Sequence, residues 1–266
     1  MRKFLRILLI CIVLLSAIWT ACLLKSEEAD DAVYDNLGQY LGTQEIVVAP
    51  DDMNKVFEYQ IEYDWDELKA TNKAITGWIY IPDNEYINFP VVQGTNNSYY
   101  LNHDYTGKWN ANGAAFVDYR YTNLCLNKVI YAHNMSRSDK KPMFTSLREW
   151  KSEEYFQSHR IVYYTEASGL TKKYLVVGVC GFDVGKEKDF SYLDMSFETK
   201  EQLDSWVEYI KNHSLYFDLD DNEIDYCADE VMTLSTCDSS YGYRNGKTTG
   251  RLVLFCINLT NNDLRK

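Results

Sequence analysis

The sequence has too little positive charge to predict a nucleic-acid-binding protein, and its potential metal ligands are not spaced as a metal site requires. Its 27 lysine and arginine residues face 39 aspartate and glutamate residues, giving a formal charge of −12 at pH 7. Bulk electrostatic binding to nucleic acid is therefore disfavoured. The seven cysteines and four histidines lack paired ligand spacing, and no acidic segment has the pattern of a calcium loop. No metal or other cofactor is predicted.

The first 25 residues differ in character from the rest of the chain. Residues 7–24 carry no charge, and these 18 residues just reach the length that spans a bilayer. Three basic residues precede this run and the acidic segment "SEEADD" follows it. The positive-inside rule then predicts a single-pass membrane protein with a cytoplasmic N-terminus and an extracellular domain. A removed secretory peptide is the alternative.

The pattern divides the chain into three parts. Residues 1–25 are predicted to be an N-terminal membrane signal anchor, 26–59 an acidic stalk or linker, and 60–266 the functional domain. Near the start of that domain, "YDWDELKATNKAITGWIYIP" predicts a helix that Asp64 caps and Gly77 ends.

Short apolar runs bounded by Gly, Asn, Asp or Pro dominate the rest of the domain, which predicts a closed barrel or a sandwich. The eight runs are "GWIYIP", "INFPVVQG", "AAFVDYR", "NKVIYAHN", "RIVYYTEA", "KKYLVVGVCGF", "DEVMTLSTC" and "RLVLFCIN".

A long helix is predicted at 198–213, before the seventh of these runs. Thr199 is its predicted cap and Gln202 would complete a capping box. An apolar stripe at helical spacing indicates that one face packs on the core. The stripe consists of Leu203, Trp206, Val207 and Ile210.

One cysteine of the domain stands out by its surroundings. Cys180 and Cys256 lie in apolar strand-like runs, where a free cysteine acts as a small hydrophobe. Cys237 instead follows a polar residue at the end of a predicted strand, His133 ends another, and Arg251 begins a third. Rigid strands usually present functional side chains at such ends.

These three residue types are the ones that nucleophilic cysteine catalysis needs. A thiolate attacks, a base exchanges protons, and a cation stabilises the oxyanion. Spacing alone leaves a structural Cys237 and a surface His133 open as the alternative. Arg244, in the loop between Cys237 and Arg251, is a second candidate for the oxyanion role.

Several motifs resemble one family. "TLSTC" at 233–237 fits the Thr-Leu-x-Thr-Cys pattern of sortases, the transpeptidases of Gram-positive bacterial surfaces, and Arg251 lies 14 positions after the cysteine, like their catalytic arginine. "YAHNM", "MFTSL", "GAAFVDYR" and "GWIYIPDNEYINFPVVQGTNNSYYLNHDY" look like class B, in which a glycine more often stands at the position of Ala132. The similarity covers about residues 60–259.

The resemblance implies a mainly β fold with helices: an eight-stranded sortase-type closed β-barrel with N-terminal helices and a long helix before the nucleophile strand. It also implies that Cys237 cleaves a C-terminal sorting motif after its threonine and forms a thioester acyl-enzyme. His133 would exchange the protons and Arg251 would bind the substrate carbonyl or oxyanion.

The implied partners are surface proteins with an Asn/Ser-Pro-x-Thr type of motif, and an amine of peptidoglycan or of its lipid-linked precursor. The residues that correspond to the class B peptide groove are Asn97, Leu101, Tyr131 and Ser235. Leu101 and Tyr131 are equally compatible with ordinary barrel packing. Three alternatives stay open: a pilus polymerase that uses a pilin lysine, a hydrolytic cysteine protease, and a tethered binding barrel without catalysis.

Overall fold

The structure is a computed structural model, which describes residues 2–35, 37–47, 58–135, 141–186, 192–219 and 230–259. Its α-helices are α1 (Arg2–Asp35), α2 (Trp65–Thr71), α3 (Glu153–Ser158) and α4 (Lys200–Asn212). Three 3-10 helices span Leu37–Tyr40, Tyr99–Leu101 and Phe144–Lys151. The strands are β1 (Leu41–Val47), β2 (Glu58–Tyr63), β3 (Ile75–Tyr80), β4 (Asn88–Gln93), β5 (Ala115–Val117), β6 (Asn127–Tyr131), β7 (Ile161–Glu166), β8 (Thr171–Asp183), β9 (Ser214–Phe217), β10 (Val231–Cys237), β11 (Tyr243–Arg244), β12 (Lys247–Thr248) and β13 (Gly250–Asn258).

The chain separates into two compact units, Met1–Gln39 and Tyr40–Lys266. Helix α1 makes up most of the first unit. Among the described residues, no helix combines the length and the apolar character that crossing a membrane requires. The predicted single-pass membrane protein is therefore wrong. The uncharged run is at the lower limit of spanning length and contains Ser16 and Thr20.

The predicted extracellular placement of the domain depended on that anchor and is withdrawn with it. The boundaries at residues 25/26 and 59/60 stay predictions. Residues 60–266 all lie within the second unit.

The second unit is built on a closed, mixed β-barrel of eight strands. Its strand order is β13-β10-β6-β5-β4-β3-β7-β8, and pairing of β13 with β8 closes the barrel. The pairs β4–β5 and β6–β10 are parallel, and the other barrel pairs are antiparallel. Each of the eight apolar runs in the sequence corresponds to one barrel strand, so the predicted fold class is confirmed. The pairs β1–β2 and β11–β12, and strand β9, were not predicted.

Helix α4 lies between β8 and β10 in the chain, before the strand that ends at Cys237, as predicted. Its buried side chains Leu203, Trp206 and Ile210 belong to a core cluster that also contains Phe255 of β13. Thr199 caps the helix by accepting a hydrogen bond from the Gln202 backbone nitrogen at 3.3 Å. The Gln202 side chain reaches one residue further than a capping box requires and accepts from the Glu198 nitrogen at 2.8 Å.

Helix α2 is shorter than predicted. Asp64 caps it as expected, accepting from the Glu67 nitrogen at 2.9 Å, but the helix ends at Thr71. Gly77 lies inside β3, where a Cβ would stand 2.4 Å from the Tyr164 ring. The glycine therefore permits a close approach between strands and does not end the helix.

Candidate active site

Strand pairing brings the three predicted catalytic residues to the same end of three neighbouring strands. Cys237 of β10 and Arg251 of β13 are paired directly across the antiparallel ladder. On the other side of β10, the parallel strand β6 pairs its Tyr131 with Ser235. His133 is two residues beyond Tyr131, and Cys237 is two residues beyond Ser235. His133 and Cys237 therefore lie at the same level along the two parallel strands.

Two polar residues next to the predicted site tie these strand ends together. The Thr236 hydroxyl donates to the Ala132 carbonyl at 2.8 Å. The Asn134 side-chain amide donates to the Cys237 carbonyl at 2.7 Å. Both residues lie in motifs that predicted the site, "TLSTC" and "YAHNM", but neither was predicted to have a role of its own. The segment around His133 is therefore fixed to the nucleophile strand.

Cys237 differs from the other cysteines of the barrel in its exposure. It is partly exposed, and it ends a strand whose preceding six residues are all buried. Cys180 and Cys256 are buried, as predicted for small hydrophobes, and burial raises the pKa of Cys180 to about 12 and that of Cys256 further. All the described cysteines are free thiols, and Cys227 lies outside the described residues. Of these described thiols, only Cys237 combines exposure with a place beside His133 and Arg251.

His133 is oriented by a backbone group. Its Nε2 lies 2.6 Å from the Leu101 carbonyl oxygen, at the end of the Tyr99–Leu101 helix. Because a carbonyl only accepts, Nε2 carries the proton in this contact. The other ring nitrogen, Nδ1, is then the one left to exchange a proton with a reacting group.

Arg251 keeps an uncompensated charge at the site. Its Nη1 donates to the Gly250 carbonyl at 2.9 Å and to the Thr248 carbonyl at 3.5 Å. Among the described residues it has no carboxylate within 4.0 Å. Arg244, the rival candidate, forms an ion pair with Asp183 at 3.5 Å. The geometry therefore favours Arg251 for the oxyanion role.

Comparison with known proteins assigns the chain to a family. No family model matches it. It is 33% identical to Sortase B of Listeria monocytogenes over 191 residues, which cover 70% of this chain and 73% of that protein. The chain belongs to the sortase B family. This membership makes it a cysteine transpeptidase.

Two solved sortases agree with the assignment. The crystal structure of sortase B from Bacillus anthracis in complex with AAEK1 matches with a TM-score of 0.63 and 28% identity, covering 85% of this chain and 93% of that one. The Staphylococcus aureus sortase B–substrate complex matches with a TM-score of 0.61 and 26% identity, covering 73% and 83%.

The four residues predicted to line the substrate groove of this sortase have different surroundings. Leu101 is 40% exposed next to His133. Asn97 and Tyr131 are partly exposed, and both side chains donate to one oxygen of Asp118 at 2.9 Å. Ser235 is buried, with its hydroxyl 2.8 Å from that of Tyr192, so its side chain does not face an open groove.

Asp118 organises one side of the predicted groove and was not singled out in the sequence. It is fully buried and receives two side-chain hydrogen bonds from Arg120, at 3.0 and 2.9 Å, besides those from Asn97 and Tyr131. Burial alone would raise its pKa, but these donors hold the pKa of Asp118 below its usual value. The signal in the sequence was an acidic residue that directly follows a buried strand.

Proposed function

We propose that this sortase cleaves a C-terminal sorting motif after its threonine and transfers the protein to an amine of peptidoglycan or its precursor. The observation that carries the proposal is the register of three strands, which brings Cys237, His133 and Arg251 to one end of the barrel. A nucleophile, a proton carrier and a fixed cation side by side are what acyl transfer through a thioester needs.

In the first half-reaction, the Cys237 thiolate attacks the carbonyl carbon of the threonine. Arg251 stabilises the negative charge that develops on the carbonyl oxygen, since its guanidinium has no competing carboxylate partner among the described residues. His133 gives a proton to the leaving nitrogen as the peptide bond breaks. The downstream segment leaves as an amine, and the upstream protein remains as a thioester on Cys237.

In the second half-reaction, the acceptor amine attacks the thioester. His133 takes the proton from the amine, a new amide bond forms, and Cys237 leaves as a thiolate. One peptide bond is broken and one is made, so the cycle needs no external energy source. The acceptor decides the product: a peptidoglycan amine yields a wall-linked protein, and a pilin lysine would yield a polymer.

The expected donor is a peptide of the Asn/Ser-Pro-x-Thr type. The S. aureus sortase B was solved as a complex with a substrate, which supports a peptide groove at the corresponding place here. Asn97, Leu101 and Tyr131 are the proposed contacts along that groove. Ser235 is proposed only as a support, because its side chain is buried.

A peptide library tests the proposal. The full chain is incubated with quenched peptides carrying different sorting motifs, with and without triglycine or a diaminopimelate-type amine. Cys125→Ala is the matched control, because Cys125 is also a partly exposed free thiol. Burial acts to raise the pKa of Cys125, but hydrogen bonds from Thr122 bring that pKa below its usual value, which favours the reactive thiolate. Cleavage by the wild type and by Cys125→Ala, but not by Cys237→Ala, is the expected result.

The amine identifies the second half-reaction. Amine-dependent ligation is expected from a transpeptidase, whereas cleavage with no ligated product would indicate a hydrolytic protease. If the wild type cleaves no peptide in the library, or if Cys237→Ala matches the wild type, the proposal is wrong.

A further inference from the structure

A pocket lined by tyrosines lies beside the predicted groove. Strands β4 and β5 are parallel, so the loops that follow them meet at one edge of the barrel. Between these loops is a cavity of about 590 Å³, within the size range of small-molecule sites. Its lining residues are Ala74, Gln93, Gly94, Thr95, Asn96, Tyr99, Tyr100, Tyr119 and Tyr121.

Within the described part of the chain, the lining has no charged side chain, which argues against a charged ligand. It consists mainly of four tyrosine rings, two side-chain amides and one threonine hydroxyl. Flat rings stack on apolar faces, while amides and hydroxyls hydrogen-bond to hydroxyl groups. A neutral sugar ring presents both surfaces, because its axial C–H bonds form an apolar face and its hydroxyls surround the edge.

Three of the four rings are held in place by their own hydroxyls. Tyr99 donates to the Gly107 carbonyl at 3.1 Å, Tyr121 donates to Glu230 at 3.0 Å, and Tyr100 accepts from Asn72 at 3.1 Å. These bonds use the hydroxyls and fix the planes of the rings. Tyr99 is also stacked on His103, with ring centroids 3.9 Å apart, and Tyr100 is buried, so these rings form rigid walls beside the more exposed ring of Tyr119. A rigid pocket lowers the entropic cost of binding.

The pocket adjoins the catalytic residues through a short helix. In the Tyr99–Leu101 helix, Tyr99 lines the pocket and the Leu101 carbonyl contacts His133. On the other loop, the Tyr119 nitrogen donates to the side chain of Asn97 at 2.9 Å. A ligand in the pocket would therefore lie next to the proposed peptide groove.

We infer that this pocket binds a neutral saccharide, namely part of the glycan that carries the acceptor amine. The inference rests on the proposed function, since it assigns a site to one portion of the acceptor. Tyr119 supplies the most accessible ring, being 50% exposed, and its face would stack on a sugar. The site would hold the glycan while its attached amine reaches the thioester.

The inference is tested by isothermal titration calorimetry, in which the tetrasaccharide of N-acetylglucosamine is titrated into the full chain and its affinity is measured. Tyr119→Ala should weaken binding about tenfold, the equivalent of about 1.4 kcal/mol. Tyr119→Phe keeps the ring and should bind like the wild type. Tyr243→Ala is the matched control, because Tyr243 is a 63% exposed tyrosine that does not line the pocket; its affinity should be unchanged.

Absence of saturable binding, or equal affinity in Tyr119→Ala and the wild type, would overturn the inference. So would a sorting-motif peptide that binds in place of the saccharide and loses affinity in Tyr119→Ala, since the pocket would then be a peptide site. Cleavage and ligation with free triglycine need no glycan and are measured on the same preparations. If they proceed while the saccharide does not bind, the inference alone fails; if the wild type cleaves nothing, the proposed function fails.

Discussion

The two ends of strands β6 and β10 carry very different chemistry. At their starts, Lys128 and Glu230 form an ion pair at 2.8 Å, with only 4% and 15% of the two side chains exposed. At their other ends, His133 and Cys237 emerge beside Arg251, which donates only to backbone carbonyls among the described residues. Lys128 and Glu230 neutralise each other, whereas the guanidinium of Arg251 keeps a charge available.

The neutralised end is a small network, which we call the ion-pair cluster: Lys128, Lys172, Glu166 and Glu230. Lys172 contacts both glutamates, and it lies 2.7 Å from Glu166. The Lys128 ammonium also lies 4.3 Å from the centre of the Tyr164 ring. The cluster connects strands β6, β7 and β8 to the residue that precedes β10. The comparison teaches that the buried charges which link these strands are paired, whereas Arg251, at the proposed substrate-binding end, has no carboxylate partner among the described residues.

Glu230→Gln should have the largest effect on stability. It leaves the buried Lys128 with only the more distant Glu166, at 3.6 Å, and breaking a buried ion pair costs about 3–5 kcal/mol. Urea denaturation measures the loss. Combining Glu230→Gln with Lys128→Met should recover part of it, because no buried charge is then left unpaired. A single variant as stable as the wild type would contradict a structural role for the ion-pair cluster.

Arg251→Lys should lower activity and leave stability almost unchanged. An ammonium lacks the planar fork of the guanidinium, so we expect a loss of about 100-fold in kcat/KM, the effect of removing an oxyanion donor. Steady-state cleavage of the best library peptide measures it. Arg244→Lys is the control and should cost little, since Arg244 is paired with Asp183. Equal losses in both variants would remove the distinction between these arginines.

Asp118→Asn should weaken peptide binding more than the chemical step. The amide cannot accept all four side-chain hydrogen bonds of the carboxylate, so Asn97 and Tyr131 lose their common anchor. We expect KM to rise about tenfold with kcat nearly unchanged, within the usual cost of a buried unsatisfied group. Tyr131→Phe removes one of these bonds and should give a smaller rise. A fall in kcat alone would show that Asp118 does not act through the groove.

Acid should remove the stability that the ion-pair cluster contributes. Burial acts to raise the pKa of Glu230, but the positive charges and hydrogen bonds of Lys128 and Lys172 lower it by more. The pKa of Glu230 is therefore lower in the folded protein than in the unfolded chain. Glu230 therefore contributes stability that is complete above its unfolded pKa, about 4.3, and is lost as pH falls through the lower folded pKa. Unfolding free energies of the wild type should fall more steeply below about pH 4 than those of Glu230→Gln. Parallel curves would count against this pairing.

Local patterns in the sequence were sufficient to predict the barrel strands. Each of the eight apolar runs forms one strand, and Thr199 caps α4, because these features depend on residues close in the chain. Strands β1 and β2 were missed because their pattern is weak; β1 lies in the predicted linker and β2 crosses its end at residue 59. The membrane anchor was predicted from an uncharged run of minimal spanning length and its charged flanks, and these signals were not sufficient.

The sequence also predicted which residues lie at the ends of the strands, but not what they contact. The end positions of Cys237, His133 and Arg251 follow from strand boundaries. The position of Asp118 after a buried strand was a usable signal, but its partners Asn97 and Tyr131 come from other elements. The ion-pair cluster could not be predicted, since Lys128 and Glu230 are far apart in the sequence and meet only through parallel pairing of β6 with β10. Long-range register is the information that a single sequence does not provide.

The central claim is that Cys237 carries the acyl group, and mass spectrometry of the intact chain tests it most directly. The full chain is mixed with the best peptide without amine, quenched in acid within seconds, and digested to locate the adduct. The account predicts a mass increase equal to that of the peptide ending at its threonine less one water, located on Cys237 and removed by hydroxylamine. An adduct on Cys125 or any other residue, or cleaved product without any adduct on Cys237, would contradict it.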